Sequence, residues 1–186
     1  MKCHLTPLAG VLLLEPNVFS DARGSFMESW NARTFAELTG TSTAFVQDNE
    51  SVSAQGAVRG LHYQLPPHAQ GKLVRVLRGA ILDVVVDLRR DSPTFGQHHS
   101  IRLDDKSRLQ LWIPPGFAHG FMALQAGTRV FYKTTHYYHH QSERAIRWDC
   151  PELKIAWPAL NVQPQLTDKD AAAPGFATAE IPLTWN

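Results

Sequence analysis

Cysteine is nearly absent from this chain. Cys3 and Cys150 are the only two in 186 residues, which excludes a disulfide scaffold and a four-cysteine zinc site. Two scattered thiols fit a reducing cytoplasm. Net charge is nearly absent as well. A formal +1 gives no basic stripe for a general nucleic-acid binder, although a small anionic ligand needs only two or three well-placed cations. Membrane-spanning runs are lacking. The apolar stretch Leu8 to Leu14 is too short to cross a bilayer, and Glu15 and Pro16 follow it without a small-residue cleavage site. It reads as a first strand, in a protein expected to be soluble and cytoplasmic. There is no GxGxxG and no P-loop, so neither dinucleotide binding nor phosphoryl transfer of the usual kinds is signalled. Internal repeats and low-complexity linkers are missing too.

What remains is an ordinary globular composition, 44% hydrophobic and 19% charged, in a length that suits one domain with one core. Asn31 can cap a helix that shows Phe35 and Leu38 on one face and ends at Gly40. Beyond it the signals are strands: Leu73 to Leu77, Ile81 to Leu88, Ile101 to Leu103, Leu109 to Ile113, Phe121 to Leu124 and Arg129 to Thr135. Turn-forming pieces separate them, such as Arg78-Gly79, Asp91-Ser92-Pro93 and Pro114-Pro115-Gly116. Many short strands at this spacing predict an all-β antiparallel sandwich or jelly roll rather than βαβ units. The tail from Pro158 onward is proline-rich and is expected to run over the surface.

Several segments carry chemistry. Gln47-Asp48-Asn49-Glu50 is a dense polar cluster. Arg59 to Gln64 puts a cation, a base and an amide within six residues. On a strand His62 and Gln64 face one way, with Leu61 and Tyr63 opposite. Lys72 and Arg75 follow on the next strand. Pro114 to Gly120 is a tight turn carrying His119, and Tyr132-Lys133 sits on a strand with Tyr137-Tyr138 after it. Each has a plainer reading. His62 alone is as well explained as a core or surface histidine, Arg59 and Lys72 as solvated charges, and Tyr132 as a packing residue. His136, His139 and His140 read as solvent-facing loop residues before they read as a metal site. Asp170, three residues after Thr167 and followed by alanines, matches a helix capping box.

The segments are more telling together. VQDN at 46–49, VRGLHYQ at 58–64, QGKLVRVLRG at 70–79, DVVVDLRRDSPTFG at 83–96, LWIPPGFAHGF at 111–121, VFYKTTHYY at 130–138 and LTDKDAAAP at 166–174 resemble the dTDP-4-dehydrorhamnose 3,5-epimerase family. The match is collinear over roughly residues 5 to 174. The resemblance implies a cupin-like β-jelly roll with a few short peripheral helices, divided into an N-terminal arm (1–45), a core (46–158) and a C-terminal tail (159–186). It implies a homodimer and a cofactor-independent isomerase. The implied substrate is dTDP-4-dehydro-6-deoxyglucose, inverted at C3 and C5 through an enolate on the way to dTDP-rhamnose.

Residue by residue, the resemblance makes His62 the base, Asp170 the carboxylate that orients it, Tyr132 the acid on the opposite face and Lys72 the cation beside the keto oxygen. Arg59 falls to the diphosphate, with Arg23 and Glu28 joining from the N-terminal arm across the dimer. Gln47, Asp48 and Asn49 line the nucleotide pocket, Tyr138 stacks on thymine, and His119, Glu143 and Lys169 add ligand contacts. Two positions depart from the family's pattern: Glu50 stands in place of a histidine and His136 in place of an aspartate. Glu50 brings a negative charge toward an anionic ligand.

Three other readings compete. A single-site epimerase for another dTDP-deoxysugar would share the same residues. A metal-dependent cupin oxygenase would use the Pro114, Gly116, His119 turn, but Gln64 stands where its second histidine belongs, and glutamine is a poor transition-metal ligand. A non-catalytic sugar-nucleotide binding protein would not need the base, acid and lysine together.

Overall fold

The computed structural model describes residues 1–185. Near the N-terminus β1 (Lys2–Leu5) and β2 (Leu12–Glu15) pair antiparallel, and β3 (Val18–Asp21) and β4 (Gly24–Met27) form a separate hairpin. Helix α1 (Ala32–Thr39) follows. The Asn31 side chain accepts from the Arg33 and Thr34 N–H groups, and Gly40 closes the helix in the left-handed region at φ 69°. Both ends therefore lie where cap chemistry predicts them.

The body of the fold consists of β5 (Gln47–Ser53), β6 (Val58–Gln64), β7 (Lys72–Arg78), β8 (Ala80–Asp87), β9 (His98–Asp104), β10 (Gln110–Ile113), β11 (Phe117–Ala123), β12 (Thr128–Thr134) and β13 (Glu143–Ala145). A four-residue helix α2 (Asp168–Ala171) lies in the tail. One sheet has the order β1-β2-β10-β7-β12-β5 and the second β13-β6-β11-β8-β9. All the paired strands within the two sheets run antiparallel, as expected of a jelly-roll sandwich.

The main core fills the space between the sheets. Val74, Val76, Leu111, Ile113 and Val130 from the first meet Ile81, Val85, Leu103, Phe117 and Phe121 from the second. The back of the second sheet is covered as well: Leu61, Tyr63, Val84, Val86 and Ala118 pack with Ile146, Cys150, Leu153 and Ile181. β8 is thus buried on both faces, which is why it reads as a continuous apolar run instead of alternating. On the outer face of the first sheet, α1 seats Phe35 against Leu14, Leu73 and Trp112.

Four expectations need correction. Leu8 to Leu14 is not one strand: Gly10, at φ 92°, breaks the run, and Leu8 and Val11 enter the core from a turn before β2 begins. β2 also pairs with β10, so this stretch is part of the first sheet rather than a detached arm. The turn after β10 ends before Phe117, so His119 sits on β11 and not in a loop. The tail does more than cover surface: Gln165 bridges to Ala57, Asp170 is buried, and Ile181 and Trp185 join the core behind the second sheet.

Candidate active site

A close crossing of two glycines sets the position of His62. A Cβ on Gly60 would lie 2.6 Å from the Gly120 Cα, and one on Gly120 would lie 2.6 Å from the Arg59 carbonyl oxygen. Gly60 also holds φ 115°, a region L-residues rarely adopt. Glycine at both positions lets β6 and β11 approach so that His62 stands opposite His119 in the register. Leu61 and Tyr63 turn into the core behind, while His62 and Gln64 face the cleft, following the period of two.

Each histidine has its own carboxylate. His62 Nε2 lies 2.5 Å from Asp170 Oδ1, and His119 Nε2 lies 2.7 Å from Asp83 Oδ1. Asp170 arrives from the tail. Thr167 caps α2 by accepting from the Asp170 N–H, so the cap and the histidine contact coexist in one residue. Burial pushes the Asp170 carboxyl up, but the His62 hydrogen bond and charge, the Gly60 backbone N–H and Thr167 outweigh it and hold it below its ordinary value. Asp170 therefore stays anionic and fixes the orientation of the imidazole.

The facing sheet supplies the other polar groups. Lys72 begins β7 and Tyr132 lies on β12, paired with Val74. Lys72 Nζ donates to the His62 carbonyl at 3.4 Å, spanning the gap between the sheets. Burial pushes its ammonium down to about 8, against upward pulls from Asp83 and Glu143. Burial raises the Tyr132 phenol, Arg59 opposes that, and Glu143 adds to it, leaving the phenol above its usual range and protonated at neutral pH.

Two adjoining cavities of about 150 and 420 Å³ share His62, Lys72, Tyr132 and Glu143 and so make one cleft. Arg59, His119, Lys169 and Asp170 line the larger lobe, and Gln47, Asn49, Gln64 and Tyr138 the smaller. At the mouth Glu143 accepts from the Tyr138 hydroxyl at 2.8 Å and pairs with Lys169. Burial pushes the Glu143 carboxyl up, and Lys169, Tyr138 and His62 together bring it below its ordinary value.

Residues 5–178 match the family described as dTDP-4-dehydrorhamnose 3,5-epimerase. The chain belongs to that family. A dTDP-4-dehydrorhamnose 3,5-epimerase from Pseudomonas aeruginosa is 51% identical over 180 residues, covering 97% of this chain and 98% of that one. A solved dTDP-6-deoxy-D-glucose-3,5-epimerase from Legionella pneumophila, in complex with dTDP-4-keto-L-rhamnose, superposes with a TM-score of 0.92 at 46% identity, covering 95% and 93% of the two chains. A 3'-monoepimerase from Streptomyces bikiniensis, solved with dTDP-quinovose, is similar at 34% identity and a TM-score of 0.89, covering 94% and 88%.

Not every residue expected from the epimerase family's pattern meets in the cleft. Asp48 lies on the outer face of β5, 2.7 Å from Lys133 Nζ, while Gln47 and Asn49 face inward. Glu50 points outward with it, 3.5 Å from Arg129, so its charge does not enter the cleft. Arg23 pairs with Asp21 at 2.6 Å on the β3–β4 hairpin, and Glu28 accepts from Asn31 beside it. The hairpin shapes its own concavity of about 470 Å³ from Phe19 to Phe26, which holds no histidine or lysine, so size alone does not locate the chemistry.

Within this epimerase-family cleft, sequence reasoning passed over two residues. Asp83 is fully buried, with Oδ1 on His119 and Oδ2 unpartnered. A carboxylate inside the run Ile81 to Val86 was the available signal, because a buried charge needs a partner. Ser51 lines the larger lobe with a buried, unpartnered hydroxyl; nothing in its sequence context marked it. Gln64, the residue that breaks the metal-cupin pattern, spends its amide on backbone groups of other segments. Among the described residues no cluster of three His, Cys, Asp or Glu side chains is spaced to hold a metal ion, and no helix is long and apolar enough to cross a membrane.

Proposed function

We propose that this chain inverts C3 and C5 of dTDP-4-dehydro-6-deoxyglucose, a step toward dTDP-L-rhamnose. The observation that carries this reading is the placement of His62 and Tyr132 on opposite sheets lining one cleft, with Lys72 reaching between them. Both carbons are α to the C4 ketone. His62 removes a proton from C3 or C5 through Nδ1, the ring nitrogen Asp170 leaves free. The electron pair moves to the C4 oxygen, and an enolate forms beside the Lys72 ammonium. Tyr132 then delivers a proton to the opposite face of the same carbon. No hydride leaves, so the chemistry calls for no nicotinamide.

The nucleotide half occupies the rest of the cleft. Arg59 lies along the larger lobe with Nε on Ser53 Oγ at 3.2 Å, where a diphosphate can exchange for that weak neutral contact. His119 and Lys169 line the same lobe, Tyr138 takes the base at the mouth with Glu143 holding its hydroxyl, and Gln47 and Asn49 border it. Arg23 and Glu28 join from a second copy in a homodimer. Phe19 and Phe26, 65% and 70% exposed on the same hairpin, give that copy an apolar seat. Asp48 has no place in the ligand site within one chain.

Proton NMR of the sugar nucleotide in deuterated water tests the reading. Deuterium is expected at both C3 and C5. Label at one carbon only would make the chain a single-site epimerase, the reading that the Streptomyces relative represents. No label at either would end the proposal.

Tyr132→Phe separates the two halves of the reaction. Exchange needs only the base, while inversion needs an acid on the far side. Inversion should fall by about 10²–10³, within the usual range for a positioned acid, and wash-in should fall by far less. Equal losses would remove Tyr132 from the acid's role.

A further inference from the structure

The segment that carries Tyr138 is held by three glutamine side chains drawn from three separate parts of the fold. Gln70 Nε2 donates to the His136 carbonyl at 2.8 Å. Gln64 Nε2 donates to the Tyr137 carbonyl at 3.2 Å. The Tyr138 N–H donates to Gln47 Oε1 at 2.9 Å, and the His139 N–H donates to Gln64 Oε1 at 2.8 Å. Four consecutive residues are thus gripped through their backbones. Tyr138 is 51% exposed, and its hydroxyl meets Glu143. Packing does not fix its direction; the backbone beneath it does.

Gln64 is the centre of this clasp. It is 4% exposed, and its second Nε2 proton goes to the His68 carbonyl at 2.7 Å, so one amide joins the 65–71 loop to the 136–139 segment. The His68 and His139 rings stack at 3.8 Å across the same junction. The position demands two donors and an acceptor from one planar group. Neutral histidine has one of each, and glutamate has no donor. This explains a glutamine two residues after the base.

We propose that Gln64 is a positioning residue for nucleotide binding, orienting Tyr138 through the Gln47–Gln64–Gln70 clasp on the 136–139 backbone. The proposal rests on the nucleotide-site reading above. Gln64→Glu keeps the size and the acceptor but turns both donors into acceptors facing carbonyls. The Tyr138 segment then loses its set position, while Asp170 still orients His62.

Calorimetric titration with dTDP tests this on four proteins: the native chain, Gln64→Glu, Tyr138→Ala and the double variant. Gln64→Glu should weaken dTDP by about tenfold, the scale of a lost set of buried hydrogen bonds. KM for the sugar nucleotide should rise by a similar factor, while kcat falls less than about threefold. On the Tyr138→Ala background, Gln64→Glu should add less than about twofold, because the two act as one unit. Native dTDP affinity in folded Gln64→Glu, or an undiminished loss on the Tyr138→Ala background, overturns the proposal. Should Gln64→Glu fail to fold in a thermal melt, Gln70→Ala removes one clasp contact, that to the His136 carbonyl, from a residue that also lines the smaller lobe; it should weaken dTDP by about threefold on the native background and by less than about twofold on Tyr138→Ala, and no change on the native background overturns the clasp. Undiminished dTDP affinity in Tyr138→Ala alone would instead remove the nucleotide-site reading on which the clasp depends.

Discussion

Replacing His62 by alanine should suppress deuterium wash-in at both C3 and C5 by about 10³–10⁴, at the upper end for a lone general base. It should leave dTDP binding within a few-fold, because the contacts proposed for the nucleotide are made by other side chains of the cleft. Both carbons should fall together. In the proposed reaction one imidazole serves the two positions, and His119, the other histidine lining the cleft, is 7% exposed and turned to Asp83. Alanine also takes the His62 hydrogen bond from Asp170, 3% exposed, leaving it the Gly60 N–H and Thr167. Losing one hydrogen bond to a buried charged group costs about 1.5–3 kcal/mol, so the melting temperature should drop as well. His62→Gln is the companion variant. Its amide can still donate to Asp170 but cannot take a proton near neutral pH, so it should be as inactive as alanine and more stable. Wash-in at a native rate at either carbon would show a second base at work and would remove His62 from that half of the reaction.

How far the sequence discloses this site depends on which physical signal each residue carries. The α1 boundaries are legible because Asn31 and Gly40 perform cap chemistry that only a few residue types perform. The β3–β4 hairpin is not legible, because its strands are only four residues long, too short to show a period, and seven of its eight residues are exposed. Gly120 suggests a turn but marks a close approach of two strands, and from sequence the two uses of glycine look alike. His62, Lys72, Tyr132 and Asp170 lie far apart in the chain, and only the family's collinear motifs link them before the sheets do. Asp170 illustrates the limit well. Its spacing to Thr167 predicts a cap, and the cap is present; the contact with His62, 108 positions away, has no local signature. The inward face of β5 could be read by alternation alone once its start was known. Asp48 and Glu50 then fall outside, and Gln47 and Asn49 inside.

Lys72→Met should move activity and stability in opposite directions. The loss of activity follows from the place proposed for its ammonium beside the substrate C4 oxygen, where negative charge develops as the enolate forms. Removing one pre-placed donor from such a site costs about 10²–10³ in kcat. The gain in stability follows from the cost of burying the ammonium. Its pKa is about 8 in the folded chain against 10.5 for the ordinary side chain, so between those values the unfolded chain binds more protons. Stability contributed at this site therefore rises with pH across that window, and below pH 8 the full penalty applies, about 3 kcal/mol at most. Methionine fills the same volume without charge, so the variant should melt at a higher temperature at pH 7 and lose that pH dependence. The same titration predicts the native pH profile. As the free enzyme loses the Lys72 proton, kcat/KM should fall above about pH 8. The Tyr132 phenol, raised by burial, does not account for that limb. The limb in kcat alone should lie at higher pH, because a bound diphosphate favours the charged lysine. Residual activity in Lys72→Met should show no limb near pH 8. A variant that lost activity and stability together would make Lys72 a packing residue, and the enolate oxygen would then need its positive charge from Arg59 across the larger lobe.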